Sequence, residues 1–370
     1  MGKEFRAVES MGEQMNPRFW KNKKVFITGH TGFKGSWLSL WLSLHGARVR
    51  GYALKPPTKP NLFDEAKLGS RMDSVIGDIG DLNRLRCAVE NFQPEIILHM
   101  AAQPLVRLSY EQPVETYRTN VFGTVHALEA ARLTQSVRVF INVTTDKVYE
   151  NREWKRGYRE TDRLGGFDPY SNSKACSELV TDSYRKSFFG NRETAVATAR
   201  SGNVIGGGDW AKDRLIPDLI RAFSEKKPAL IRYPQAVRPW QHVLEPLNGY
   251  LMLAEVMWSD KNKFVGAWNF GPPPHLSKPV SWVADRMSRK WPDHPQWKTD
   301  GGQHAHETQN LALNSNKSAT RLGWRSLLSI QETIDWICEW YLVRLEGLPA
   351  AEITERQIRR YEDLLKKRTV

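Results

Sequence analysis

The sequence predicts an α/β protein: a doubly wound parallel sheet with a smaller C-terminal substrate-binding lobe. Three observations carry this expectation. Short apolar runs at 24–28, 47–54, 75–79, 96–100, 139–143 and 195–200 alternate with segments of helical spacing, the pattern of successive βαβ units. The first run ends in Gly29-His-Thr-Gly-Phe-Lys-Gly35 and opens directly into an apolar-periodic stretch to Leu44. Beyond residue 200 the alternation loosens and prolines become frequent. The expected organisation is an N-terminal arm over 1–19, a cofactor-binding part over 20–200, and a lobe with C-terminal helices over 201–370, some of whose segments return to the first part.

A chain of 370 residues, 40% of them apolar and 14 of them Trp, can bury a core that serves both parts. Cys87, Cys176 and Cys338 are the only cysteines and show no CxxC or zinc-ligand spacing. That argues against a disulfide framework and predicts a reducing, cytoplasmic setting. Residues 1–18 carry no apolar core of a secretory signal, and no stretch approaches the ~20 apolar residues of a membrane span. The net charge of +13 points to anionic partners. Nucleic acid is not expected among them, because no basic stripe or recognition motif accompanies the charge. The basic clusters at 21–24 and 366–368 read as solvated termini.

In chain order, the glycine loop comes first. Gly29, Gly32 and Gly35, with Thr31 and Phe33 between them, follow a strand and precede a helix, as a dinucleotide-binding turn requires. Such a turn brings backbone amides and the helix N-terminus to a diphosphate. The second strand lacks the acidic residue that usually follows ~20 positions on and meets the ribose hydroxyl. It offers Arg50 and Lys55 instead, which suit a 2′-phosphate, so this strand leaves NAD and NADP both open. Asp78 and Ile79, ending the third strand, are placed to face an adenine. After the fourth strand, Ala101, Ala102 and Gln103 let the backbone lie against a cofactor phosphate. His99 sits inside an apolar run and reads as a core histidine. A long helix is predicted over 114–134, with Asn120 either turned inward to the strand ends or on the surface.

The stretch 141–174 holds the chemistry. Thr144, Thr145, Asp146 and Lys147 fall where the fifth strand leaves the sheet, the edge at which open α/β sheets bind ligands. Tyr170 and Lys174 are four apart, so on a helix they share one face.

The order strand–GxxGxxG–helix, then Ala-Ala-Gln, Thr-Asp-Lys and Tyr-x-x-x-Lys, resembles the extended short-chain dehydrogenase/reductase family, and within it the nucleotide-sugar 4,6-dehydratases. Longer strings add to this: His30-Thr-Gly-Phe-Lys-Gly-Ser-Trp37, Met100-Ala-Ala-Gln-Pro-Leu-Val-Arg107, Gly206-Gly-Gly-Asp-Trp210 and Arg238-Pro-Trp-Gln-His-Val-Leu-Glu-Pro246. The resemblance runs from about Phe19 to Leu365. It implies a Rossmann-type domain, NAD as cofactor, and CDP-glucose as substrate on a route to 3,6-dideoxyhexoses of bacterial surface polysaccharide. It also implies a homodimer formed through a four-helix bundle of the helices over 114–134 and 171–188. By resemblance Asn203 and Arg238 address the substrate diphosphate and Arg214 lies beside the nucleotide. Val148 stands where that pattern has cysteine, and Asn310 and Asn314 where it has Tyr and Asp.

Sugar 4,6-dehydration requires oxidation at C4, loss of water across C5 and C6, and return of hydride to C6. Tyr170 is the expected base at the C4 hydroxyl, with Lys174 favouring its phenolate and holding the nicotinamide ribose, and Thr145 aligning O4. Asp146 is the expected acid for the C6 hydroxyl and Lys147 the base at C5, which requires opposed pKa shifts. An epimerase needs only the C4 oxidation, and an inactive cofactor-sensing protein of the same fold would have no use for Tyr170 and Lys174. His304-x-His306 suggests a metal site only superficially, so no metal is expected.

Overall fold

Among the described residues, seven parallel strands form one sheet. Its order is Gly266–Asn269, β6 (Ala195–Arg200), β5 (Val139–Val143), β4 (Ile96–His99), β1 (Lys24–Thr28), β2 (Arg48–Ala53) and β3 (Asp73–Ile76). The structure is a computed structural model describing residues 15–154, 156–302 and 310–368. Alternate strand residues face opposite sides, as a period of two dictates. Val25, Ile27, Ile96, Leu98, Val139 and Ile141 belong to one core with the helices Phe33–Leu44 and Leu244–Ser259. Phe26, Ile97, Phe140 and Val196 belong to the other, with the helices Leu82–Phe92 and Gly123–Leu133. Both faces are covered, so the central strands read as continuous apolar runs. The strand order reverses between β1 and β4, which opens a crevice at their carboxyl ends.

The predicted helix over 114–134 is three segments: Pro113–Tyr117, a π turn at Arg118–Phe122, and Gly123–Leu133. The extra residue of the wide turn swings Asn120 into the interior, where it is fully buried. His99 is a core residue bonded to the Thr28 and Thr124 hydroxyls at 2.7 and 3.2 Å, and burial pushes its pKa down to about 3.

After β6 the chain builds the helices Leu215–Ser224 and Val280–Lys290 and short two-stranded ladders, such as Ala229–Ile231 beside Trp297–Thr299. Within this half, Gly266–Asn269 extends the sheet and Leu244–Ser259 covers one of its faces. The final helices, Ile330–Leu345 and Ala350–Arg368, join through a Trp340–Thr354 hydrogen bond of 3.0 Å. Trp41 donates to Glu362 at 2.6 Å, tying the last helix to Phe33–Leu44.

Two local expectations change. A loose arm is expected over 1–19, but from Met15 onward the chain is docked. Met15 and Trp20 are buried, and Glu255 accepts from the Asn16 amide at 2.9 Å and the Trp20 indole at 2.6 Å. The basic cluster at 21–24 is not wholly solvated either. Lys23 pairs with Glu95 at 3.1 Å and lies 3.8 Å over the Trp258 ring. The segment with His304 and His306 lies outside the described residues.

Candidate active site

The loops that leave β1, β4, β5 and β6 meet at one edge of the sheet. Gly29 adopts φ +77°, and a Cβ there would come 2.8 Å from the Ala101 amide nitrogen. A Cβ on Gly35 would come 2.2 Å from the Gly29 carbonyl oxygen, so only glycine fits either place. Gly32 is the N-cap of the helix Phe33–Leu44, and no side chain among the described residues caps that end. Its first-turn amides are thus available to an anion, and this loop fits a dinucleotide diphosphate. Arg50 is engaged with Asp73 at 2.5 Å and lies 4.8 Å from the Phe92 ring, which removes one of the two cations suited to a 2′-phosphate.

Several expected cofactor residues shape this cleft with side chains already committed to protein groups. Thr31 donates to the Leu54 carbonyl at 2.9 Å. Asp78 accepts from the Gly80 amide at 2.8 Å, and Ile79 packs where a Cβ on Gly123 would come within 2.8 Å. Gln103 accepts from the Leu105 amide at 2.6 Å and donates to Thr116 at 2.9 Å. Asn120 accepts from the Gln103 amide at 2.9 Å and donates to Ser173 at 2.9 Å. It therefore joins the Ala101–Gln103 loop to the helix Pro169–Ser187 that carries Tyr170 and Lys174. Thr144 donates to Glu178 at 2.5 Å.

Asp146 follows β5 in a one-turn 3₁₀ segment, Asp146–Val148, that Thr145 caps by accepting from the Lys147 amide. Its carboxyl is buried, accepts from the Thr145 hydroxyl through Oδ1 at 3.0 Å, and leaves Oδ2 without a partner among the described residues. Burial raises its pKa, against the opposing influence of Lys147, Thr145 and Arg238. A proton on this carboxyl is what an acid catalyst needs. Lys147 is half-buried beside it. Val148 fills a small apolar cluster with Tyr149, Tyr158 and Ala175.

The Tyr170 phenol is buried. Burial pushes its pKa up to about 12, opposed by Thr145 and by the Arg214 cation. The Lys174 ammonium donates to the Val143 carbonyl at 3.2 Å, and burial brings its pKa down to about 8 against the pull of Glu178. Glu178 in turn is gripped by Arg200 through bonds of 2.9 and 2.8 Å, with Thr198 adding 2.7 Å. Asn142 donates to Ser177 and Thr181, pinning the same helix to β5.

The lobe closes on this group. Arg214 pairs with Asp209 at 2.9 Å and acts on Tyr170, while buried Arg238 acts on Asp146. Asn203 has φ 48° in the turn after β6, and its carbonyl accepts from the Gln241 amide at 3.2 Å. Asn310 and Asn314 stand nearer the Tyr158 side, where the Asn310 carbonyl accepts from Asn151 and the Asn314 amide donates to the Tyr158 carbonyl.

Sequence reasoning passed over two contributors. Gly202 makes room for the Asp146 carboxyl, and Glu178 with Arg200 buttresses the helix. Only the position of Gly202, next to Asn203 at a strand end, was a signal. Among the described residues no cluster of His, Cys, Asp and Glu could hold a metal, and no helix is long and apolar enough to cross a membrane.

A parallel sheet of this order, a glycine loop and a Thr-Asp-Lys turn facing Tyr170 and Lys174 define an extended short-chain dehydrogenase/reductase. A family model described as GDP-mannose 4,6 dehydratase matches residues 26–337, and the chain belongs to that family. It is 50% identical over 352 residues to the CDP-glucose 4,6-dehydratase of Salmonella typhimurium, covering 94% of this chain and 98% of that protein. It is 25% identical to a probable dTDP-glucose 4,6-dehydratase of Sinorhizobium fredii, over 86% and 93% of the two chains. Among solved structures, the dTDP-glucose 4,6-dehydratase DesIV of Streptomyces venezuelae, with NAD bound, superposes at TM-score 0.73. It shares 21% identity, with 89% and 99% of the chains covered. The UDP-glucose 4-epimerase of Thermotoga maritima, with UDP-glucose, gives TM-score 0.73 at 18% identity, covering 87% and 99%.

Proposed function

We propose that this protein is an NAD-dependent dehydratase that converts CDP-glucose to CDP-4-keto-6-deoxyglucose. The observation that carries the reading is Asp146: a buried carboxyl with a raised pKa and an open Oδ2, adjoining Lys147 and within one site with Tyr170. An acid and a candidate base side by side suit elimination, which epimerisation does not need. The 50% identity to a CDP-glucose 4,6-dehydratase over almost the whole of both chains supports the choice of nucleotide.

The glycine loop, Ala101–Ala102 and Lys174 would hold the dinucleotide. Bound NAD supplies a hydride acceptor at C4 and gives the hydride back at C6. Tyr170 takes the proton of the C4 hydroxyl, and Thr145 holds O4 in line. Lys147 removes the proton at C5, made acidic by the new ketone. Asp146 then donates its proton to the departing C6 oxygen, which leaves as water. Arg238 and Asn203 take the substrate diphosphate, for which a guanidinium fork is well shaped, and Arg214 lies beside the nucleotide.

A homodimer completes the proposal. Val114, Phe122 and Leu133 on one helical run and Leu179 and Phe188 at the other are exposed apolar side chains. A four-helix bundle with a second copy would cover them. Incubation with NAD and a panel of nucleotide-glucose compounds, read by the absorbance of the 4-keto product in base, tests the substrate. Product from another nucleotide sugar and none from CDP-glucose would overturn the choice.

A further inference from the structure

Gln241 is buried, at 2% exposure, in the short strand Gln241–His242, which pairs in parallel with Val204–Ile205 after β6. Its side-chain Nε2 donates to two main-chain carbonyls, Gly202 at 3.1 Å and Phe270 at 2.9 Å. Both acceptors are oxygens, so the NH2 end of the amide must face them and the orientation of the group is fixed. Oε1 is left buried without a partner among the described residues. An apolar side chain of that size would fill the place without an orphaned oxygen, but it would leave both carbonyls without this donor. The two donated bonds are therefore what the residue supplies. They tie the turn after β6 to Phe270, which follows the neighbouring strand Gly266–Asn269. That turn is the seat of Asp146. The Ser201 carbonyl accepts from the Asp146 amide at 3.3 Å, and a Cβ on Gly202 would come 1.7 Å from Asp146 Oδ2.

We propose that Gln241 is a positioning residue for the acid step: its two donated bonds fix the Gly202 turn against Phe270 and so hold the Asp146 carboxyl where the C6 hydroxyl departs. This rests on the reading above that Asp146 is the acid of the elimination. Without the amide, the Gly202 and Phe270 carbonyls lose a donor and the turn that packs on Asp146 is free to shift. A displacement of about 1 Å at a reacting group costs on the order of 10²-fold in rate. Oxidation at C4 belongs to Thr145 and Tyr170, which Gln241 does not hold. The effect is thus confined to the step that needs a proton at C6.

The test compares CDP-glucose with CDP-6-deoxy-6-fluoroglucose, whose C6 substituent leaves as fluoride and needs no proton from the enzyme. Both give the same 4-keto-6-deoxy product once hydride has returned. Gln241→Met, close in size and without the amide, should lower kcat with CDP-glucose by about 10- to 100-fold at unchanged KM. With the fluoro substrate its kcat should stay within about twofold of wild type. Gln241→Asn, too short to reach both carbonyls, carries the same expectation should Gln241→Met fail to fold. Asp146→Asn is the reference and should show the same dependence on the leaving group, more strongly. Where it does, an equal loss on both substrates in the Gln241 variant, or no loss on either, overturns the proposal. Absence of that dependence in Asp146→Asn would overturn the reading of Asp146 as the acid, and this proposal with it.

Discussion

The Oδ2 atom of Asp146 lies where a side chain on residue 202 would begin: a Cβ on Gly202 would come 1.7 Å from it. Any other residue at 202 must displace the carboxyl. Gly202→Ala should therefore lower kcat for dehydration by about 100-fold through misplacement of the acid, with NAD affinity unchanged. Steady-state kinetics with a separate cofactor titration would show it. A wild-type kcat would mean that Asp146 is not the acid, or that its position is immaterial.

Lys147→Ala separates the two halves of the reaction. Oxidation at C4 should survive, and loss of water should slow by a factor of about 10² to 10⁴. Rapid-quench analysis should then find the 4-keto-glucose form accumulating with reduced cofactor. Full dehydration by this variant would remove Lys147 as the base.

The Glu178–Arg200 pair predicts a stability effect. Both side chains are almost wholly buried, at 3% and 4% exposure. Glu178→Ala would leave a buried, unpaired guanidinium and should cost about 3–5 kcal/mol in denaturant unfolding. Burial alone would raise the Glu178 pKa, but Arg200, with Thr144 and Thr198, outweighs it and the net shift is downward. Its contribution is thus present above the unfolded carboxylate pKa and is lost as pH falls through the lower folded value. A variant whose stability matches the wild type would show the pair to be neutral.

Glu255 works in the opposite sense. Burial pushes its pKa up to about 8 from 4.5, against hydrogen bonds from the Asn16 amide and the Trp20 indole. With the folded value above the unfolded one, stability is full below about 4.5 and declines as pH rises toward 8. Melting temperature should drop between pH 6 and pH 9, and Glu255→Gln should flatten that drop. An equal slope in the variant would rule out this carboxyl as its source.

The proposed dimer is open to a charge test. Leu179→Glu, alone or with Phe122→Glu, places charge among the exposed apolar side chains of both helices. Sedimentation should show a dimer for the wild-type protein at micromolar concentration and a monomer for the variant. A wild-type monomer would refute the assembly.

What the sequence by itself determined is local. The glycine spacing at 29–35 states which residues must lack a side chain, because the turn's backbone geometry is written in adjacent positions. The spacing of Tyr170 and Lys174 puts both on one helix face for the same reason. The apolar runs identify the strands, and the point where each run stops places Thr145 and Asp146 at the sheet edge.

Tertiary structure decided what those groups can do. Whether Asp146 carries a proton depends on how thoroughly Gly202, Thr145 and the lobe enclose it, and these arrive from distant parts of the chain. That Lys174 donates to the Val143 carbonyl, and that Arg214 of the distant lobe pairs with Asp209, follows from packing that no four-residue spacing specifies. Asn120 reaches the interior only because a π turn rotates it there. Desolvation and charge proximity act through space, so they become readable only when the distant segments have met.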